Sequence, residues 1–226
     1  QPTKYSQPIG RIVEILGDYS APGMEIEIAL RKYDLPHVFS SDIGKLAAKF
    51  PKSVLKRESN EREDICHLPL VTIDGETARD FDDAVFCKQE DNGYRLYVAI
   101  ADVSHYVKPH DLIDQEALNR GNSVYFPRRV IPMLPEALSN ELCSLNPDKK
   151  RLCMVCEIEF LKNGDIVEYV FYPAVMCSHA RLTYTEVAAM LAKPKGSEAK
   201  RYPMLLPHIL ILQKLFKALL KTRKKR

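Results

Sequence analysis

The chain has 226 residues and a mass of 25.8 kDa, enough for one good-sized domain or for one domain and part of a second. Its 46% hydrophobic and 28% charged residues are ordinary for a globular protein, which excludes wholesale disorder and collagen-like or low-complexity chains. The net charge of +3 is too small to indicate a nucleic-acid partner by itself. No uninterrupted apolar run approaches the roughly 18 residues of a membrane span, so we predict no membrane partner.

The chain begins at Gln1, and no basic-then-apolar leader follows, so we expect a piece of a longer, cytoplasmic protein. Its six cysteines are then expected to be reduced thiols. Cys153 and Cys156 have the C-x-x-C spacing of a zinc or redox pair, but they lie in the strand-like segment Leu152–Phe160. Positions three apart in a strand face opposite sides, so we interpret both cysteines as structural.

The first 35 residues contain two strand-like segments, Gly10–Leu16 and Met24–Leu30, separated by the turn-rich segment Gly17–Gly23. The second segment alternates polar and apolar residues, as a half-buried strand does. Because two strands are not stable alone, we predict that residues 1–35 are the end of a small β-barrel.

The next segment, residues 36–65, is predicted to be a basic helical linker. Ser41 or Asp42 is a suitable N-cap for a helix that ends at Phe50. Its basic residues are Lys45, Lys49, Lys52, Lys56, Arg57 and Arg62. Two interpretations stay open: a solvated linker, or a surface that contacts a polyanion.

Residues 66–226 are predicted to form an α+β domain, with a mixed or antiparallel sheet and flanking helices. The predicted strands are Leu68–Asp74, the hairpin of Ala84–Lys88 with Tyr94–Val103, and the hairpin of Leu152–Phe160 with Ile166–Phe171. The predicted helices are Leu112–Arg120, a segment capped by Thr183 or Thr185 that ends at Leu191, and Leu205–Leu220.

Four aspartates lie within ten residues, between two hydrophobic runs: Asp74, Asp80, Asp82 and Asp83. Two carboxylates about 4 Å apart repel each other by roughly 4 kcal/mol at an effective dielectric constant near 20. A hard divalent cation bound by carboxylate oxygens, above all Mg²⁺ shared with a phosphate, would offset this repulsion. An extended segment places Asp80 and Asp82 on one face, which suits a pair of ions.

A calcium-binding EF-hand does not fit the aspartate cluster. Counting from Asp80 places Ala84 and Val85 where the EF-hand loop needs an acid and a glycine. An acidic loop whose charge is neutralised by Arg79 or Lys88 remains open as an alternative to a metal site.

The run Leu68–Val85 (LPLVTIDGETARDFDDAV) resembles the signature of the RNase II/RNase R family of 3′-to-5′ exoribonucleases. Further segments resemble family blocks in the same order, namely Ala99–Val107, Ser123–Glu136, Leu138–Leu145 and Ser178–Thr185. Residues 1–35 are similar to the end of the second cold-shock barrel of the RNase R branch. The resemblance implies that residues 66–226 are the amino-terminal part of an RNB catalytic domain, preceded by a remnant of an oligonucleotide-binding (OB-type) barrel.

The resemblance also implies site residues. The four aspartates match those that bind Mg²⁺, with Mn²⁺ as an alternative, and organise hydrolysis; Asp82 matches the one that catalysis cannot lose. Tyr125 matches an aromatic that stacks at the end of the channel and sets product length. Tyr184 matches another aromatic along the RNA path. Arg128 and Arg129 follow Tyr125, so an RNA-binding basic patch is predicted there. Surface and core roles remain alternatives for the two tyrosines.

The implied activity is Mg²⁺-dependent, processive release of nucleoside 5′-monophosphates from the 3′ end of single-stranded or structured RNA. The family's catalytic domain continues past residue 226, with a catalytic arginine and further acids. The alternative is therefore an incomplete fragment that only binds RNA. We expect the parent enzyme to be monomeric and the fragment to self-associate. A membrane-surface role for Leu205–Arg226 is disfavoured, because Pro207 interrupts that segment.

Overall fold

The computed structural model describes residues 10–127 and 129–225. The described part before the sheet holds three helices: α1 (Met24–Lys32), α2 (Ser41–Ala47) and α3 (Lys56–Ser59). The predicted strand Met24–Leu30 is wrong, because this segment lies within α1. Residues 10–16 form no strand either.

Tertiary packing explains why α1 is a helix. Alternating apolar residues also place Ile26 and Leu30 four positions apart, on one face of a helix. Both side chains are buried against Ile131, further along the chain. Acidic residues occupy the first turn and basic residues the last turn of α1, which favours the helix dipole. The strand-like alternation was therefore misleading.

The basic segment is less helical than its composition suggests. Ser40, rather than Ser41 or Asp42, caps α2 by accepting a hydrogen bond from the backbone N–H of Ile43 at 3.4 Å. The helix ends at Ala47, before the predicted end at Phe50. Residues between α2 and α3 form turns and bends.

A seven-stranded mixed sheet organises the rest of the chain. Its strands are β1 (Glu63–Asp64), β2 (Val71–Asp74), β3 (Asp83–Glu90), β4 (Gly93–Ala101), β7 (Lys150–Leu161), β8 (Ile166–Cys177) and β9 (Ala180–Thr183). Their order across the sheet is β1-β8-β7-β4-β3-β2-β9. The β1–β8 and β2–β9 pairs are parallel and the others antiparallel. A separate hairpin joins β5 (Val124–Phe126) to β6 (Arg129–Ile131).

Both predicted hairpins are confirmed, as β3–β4 and β7–β8. The α+β fold class with a mixed sheet is confirmed as well. Cys153 and Cys156 lie in β7, where Cys153 is buried and Cys156 is half-buried, and both are free thiols.

The remaining helices follow β4 in the chain and pack against the sheet. They are α4 (Val103–Tyr106), α5 (Leu112–Arg120), a π-helical segment (Ala137–Leu142), α6 (Tyr184–Ala192), α7 (Ser197–Arg201) and α8 (Leu206–Lys225). Three of these match predicted helices, and Thr183 caps α6 with Glu186 in a capping box. None of the described helices is long and apolar enough to cross a membrane.

The core lies between the sheet and these helices. The largest cluster joins the central strands to α2, α5 and the π-helical segment through Ile43, Ile113 and Leu138. A second cluster joins β2 and β9 to α6 and α8. The carboxyl end of β2 is therefore supported from several directions.

Gly93 provides a test of the sheet. A Cβ at this position would lie 1.7 Å from the carbonyl oxygen of Phe160 in β7, so the backbone would have to move. We expect Gly93→Ala to lower the free energy of unfolding by about 1–3 kcal/mol. Urea unfolding measures this change.

Gly44→Ala is the matched control, because open space surrounds Gly44 and it lies within α2. That substitution should raise stability by up to about 1 kcal/mol. Equal effects of the two substitutions would contradict the packing of β4 against β7.

Candidate active site at one edge of the sheet

Strand directions bring the ends of several strands to one edge of the sheet. Asp74 ends β2, and Asp83 begins the antiparallel strand β3. Strand β9 runs parallel to β2 and pairs Thr183 with Asp74, so Tyr184 follows at the same edge. The end of β4 lies there too, where the N–H of Ala101 donates to the carbonyl oxygen of Asp82 at 2.8 Å.

The loop that carries Asp80 and Asp82 is anchored by the residue between them. The side chain of Phe81 is 4% exposed and belongs to the main core cluster. Its N–H donates to the buried Ser144 hydroxyl oxygen at 3.0 Å, and its carbonyl oxygen accepts from the N–H of Leu145 at 2.8 Å. The Ser144 hydroxyl donates in turn to the carbonyl oxygen of Arg79 at 2.9 Å.

Ser144 was not among the predicted site residues. A signal was present, because this small polar residue lies between the apolar residues Cys143 and Leu145. A buried polar side chain of this kind needs a hydrogen-bond partner, and the acidic loop supplies it. The positions of two aspartates thus depend on a residue more than 60 positions away in the chain.

Burial and mutual repulsion both raise pKa values within the cluster. Partial desolvation, followed by the charges of Asp80, Asp83 and Asp74, raises the pKa of Asp82. Partial desolvation and the charge of Asp74 likewise raise the pKa of Asp83. The four predicted aspartates therefore lie in one electrostatic neighbourhood.

Neutralisation by the nearby cations is not observed. Lys88 pairs with Glu90 at 3.2 Å, on the same strand. Among the described residues, no ion pair joins Arg79 or any other cationic side chain to the four aspartates. Within the described part of the chain, no ion pair therefore compensates the negative charge of the cluster.

A divalent metal ion fits the chemistry of this donor set. Four carboxylates offer the hard oxygen ligands that Mg²⁺ and Mn²⁺ prefer, and their repulsion is not offset by any described ion pair. Across residues 10–127 and 129–225, no three His, Cys, Asp or Glu side chains converge into a ready-made metal cage. Mg²⁺ does not need one, since it is usually held by one or two carboxylates, with water and substrate phosphate.

Two exposed aromatic side chains flank the aspartates. Tyr125 lies in β5, and its hydroxyl donates a hydrogen bond to Asp80 Oδ2 at 2.9 Å. Its side chain is nevertheless 64% exposed. Tyr184, the first residue of α6, is 62% exposed. Neither tyrosine is in the core, so the alternative of core packing for Tyr184 is wrong.

The predicted basic patch is only partly described. Arg128 lies outside the described residues. Arg129 forms an ion pair with Glu27 of α1, so its predicted contact with RNA stays a prediction. Arg62, from the basic linker, is mostly buried and pairs with Asp102 at 2.5 Å. Arg62 thus holds the linker against the end of β4, which Asp102 follows.

Family models match nearly all of the chain. Residues 62–226 match the RNB domain model, and residues 1–40 match the cold shock domain model. The chain belongs to the RNB-domain family. These matches, together with the relatives described next, confirm the resemblance to the RNase R branch. The predicted boundaries at residues 35 and 65 stay a prediction.

Relatives of this RNB-family chain carry the name Ribonuclease R. The one from Vibrio parahaemolyticus is 51% identical over 221 residues, which cover 96% of this chain and 26% of the relative. The one from Escherichia coli is 50% identical over 227 residues, which cover 100% of this chain and 28% of the relative. The chain therefore spans about a quarter of the length of these relatives.

A solved structure gives the same assignment. Mycoplasma genitalium RNase R in complex with double-stranded RNA superposes with a TM-score of 0.85 and 33% sequence identity. The superposition covers 93% of this chain and 37% of that one. The RNB fold of this chain is thus supported by sequence and structure together.

The raised pKa of Asp82 predicts a stability effect with a defined sign. Because folding raises this pKa, the ionised carboxylate destabilises the fold at neutral pH relative to its protonated form. Asp82→Asn should therefore stabilise the metal-free protein at pH 7, by less than about 1 kcal/mol because solvent screens exposed charges. Thermal unfolding at several pH values measures the gain.

This gain in stability should disappear as the pH falls below about 4, because Asp82 is then protonated and neutral, like asparagine. Asp91→Asn, in the exposed β3–β4 turn, is the control and should give no such gain. A destabilised Asp82→Asn protein at pH 7 would contradict the repulsion described above.

Proposed function

We propose that this RNB domain belongs to a Mg²⁺-dependent 3′-to-5′ exoribonuclease that hydrolyses single-stranded or structured RNA to nucleoside 5′-monophosphates. One observation carries the proposal. Four aspartates without a described cationic partner meet at one edge of the sheet, and two exposed tyrosines flank them. The named relatives and the RNA-bound solved relative support RNA as the substrate.

The aromatic rings provide a way to hold RNA of any sequence. Every base has an aromatic face, and stacking on an exposed side chain is worth about 1–3 kcal/mol per base. The exposed ring of Tyr125 lies beside Asp80, so a base stacked there would bring its phosphate near the carboxylates. We assign Tyr184, which follows β9 at the same edge of the sheet, to the same RNA path.

The carboxylates provide the charge that a metal-dependent hydrolase needs. Bound divalent ions would neutralise the phosphate and help to ready a water molecule for attack. Asp74 and Asp83 are fixed by the ends of β2 and β3, and Asp80 and Asp82 by the burial of Phe81. Divalent ions and the scissile phosphate would meet at this preorganised negative charge.

The cytoplasm is the compartment that we propose for this activity. Its support is that all six cysteines are free thiols, as in proteins of a reducing compartment.

The test uses the longest natural version of the protein, with a 5′-labelled single-stranded RNA and Mg²⁺. We expect stepwise shortening of the RNA from its 3′ end, with release of mononucleotides, and no cleavage after addition of a chelator. Asp82→Asn should lower the rate at least about 100-fold, as removal of one electrostatic group from an active site does.

Asp91→Asn is again the control and should cleave normally. Full activity of the Asp82→Asn protein, or cleavage that persists in chelator, would refute the proposal.

A second candidate function is RNA binding without cleavage by this part of the protein. It is favoured by four exposed basic residues in the linker that have no ion-pair partner among the described residues: Lys49, Lys52, Lys56 and Arg57. With four phosphate contacts, the logarithm of the binding constant should fall against the logarithm of the salt concentration with a slope of about −2.8. A fourfold rise in salt would then weaken binding about 50-fold.

Fluorescence anisotropy with labelled RNA measures this salt slope on the chain itself. The double variant Lys49→Gln/Lys52→Gln should reduce the slope by about half. Salt-independent binding would contradict a role for these residues.

A further inference from the structure

Tyr125 makes one polar contact through its hydroxyl, and its ring stays exposed. Its hydroxyl donates to Asp80 Oδ2 at 2.9 Å, while most of its side chain stays exposed. The family resemblance implies a stacking role for the ring, and that role needs no hydroxyl. The hydrogen bond to a member of the aspartate cluster therefore requires its own explanation.

We propose that Tyr125 is a positioning residue, whose hydroxyl holds Asp80 by Oδ2 and leaves Oδ1 free to bind a divalent ion. This inference rests on the proposed function and deepens it. One tyrosine would then serve both parts of the site, with its ring against the RNA and its hydroxyl on a metal-binding carboxylate.

The neighbours of Tyr125 in the hairpin fix its position. In the β5–β6 hairpin, its neighbours Val124 and Phe126 pack into the cluster formed by α1 and Ile131. Alternation along a strand turns Tyr125 to the opposite face. The hairpin is therefore a rigid support, and the hydroxyl of Tyr125 has a defined place from which to hold Asp80.

An ion pair strengthens the same support. Arg129, in β6, pairs with Glu27 of α1, and Glu27 also pairs with Arg31. Helix α1 thus holds the hairpin through apolar and charged contacts together. A carboxylate held by such a support loses less freedom when it binds an ion.

The hydrogen bond also limits how Asp80 can bind an ion. Because Oδ2 already accepts from the hydroxyl, Oδ1 is the less engaged oxygen, which favours binding through a single oxygen. Mg²⁺ demands octahedral geometry with single oxygens, whereas Ca²⁺ accepts bidentate carboxylates and more ligands. The hydroxyl of Tyr125 should therefore favour Mg²⁺ over Ca²⁺.

The test compares Tyr125→Phe with a matched control in the longest natural version of the protein. Phenylalanine keeps the ring and removes only the hydroxyl. The control is Tyr169→Phe, because Tyr169 is also 64% exposed, lies in β8 and makes no side-chain hydrogen bond to any of the described residues. Calorimetry without RNA measures the dissociation constants of Mg²⁺ and Ca²⁺, and a denaturing gel measures the final product length.

We expect Tyr125→Phe to bind Mg²⁺ about 10-fold more weakly, the lower end of the effect of removing a hydrogen-bond partner from a metal ligand. The change for Ca²⁺ should be smaller, and the product length should stay the same. Tyr169→Phe should match the wild type in Mg²⁺ affinity, Ca²⁺ affinity and product length. The Mg²⁺-induced rise in melting temperature provides a second measure of the same affinity.

Unchanged Mg²⁺ affinity in Tyr125→Phe would overturn the inference, and so would a weakening equal for both ions or a changed product length. These results leave the proposed function untouched, because that proposal is decided separately by RNA cleavage in the Asp82→Asn variant.

Discussion

The burial of Phe81 is the constraint on which the site depends. Its side chain is held in the core, and its backbone is held by Ser144 and Leu145. Phe81 is buried, whereas Asp80 is half-buried and Asp82 is exposed, so the two neighbouring aspartates lie outside the core. The core packing of the Phe81 ring thus holds the loop in place, although the carboxylates of Asp80 and Asp82 repel each other.

The site also depends on a helix that precedes the sheet in the chain. Helix α1 lies in the segment that matches the cold shock domain, yet it packs on the hairpin that carries Tyr125. The ion pair of Glu27 with Arg129 also joins the segment that matches the cold shock domain to the segment that matches the RNB domain. The two family segments of the chain therefore meet beside the aspartates, and a change in α1 can reach the site through the hairpin.

The sequence predicted most of the sheet and the location of the aspartates, because hairpin turns, helix caps and a dense acidic motif are local signals. It could not predict contacts between distant segments. Met24–Leu30 alternates like a strand, but packing against Ile131 makes it a helix. The anchoring by Ser144 and the pairing of Arg129 with Glu27 likewise depend on residues far apart in the chain.

The central claim is that the aspartate cluster binds hard divalent ions. A crystal of the longest natural version soaked in Mn²⁺ and measured for anomalous scattering tests this most directly. The account predicts an anomalous peak in contact with at least two of the carboxylates of Asp74, Asp80, Asp82 and Asp83. Well-ordered carboxylates without a peak beside them, or a peak only elsewhere in the protein, would contradict it.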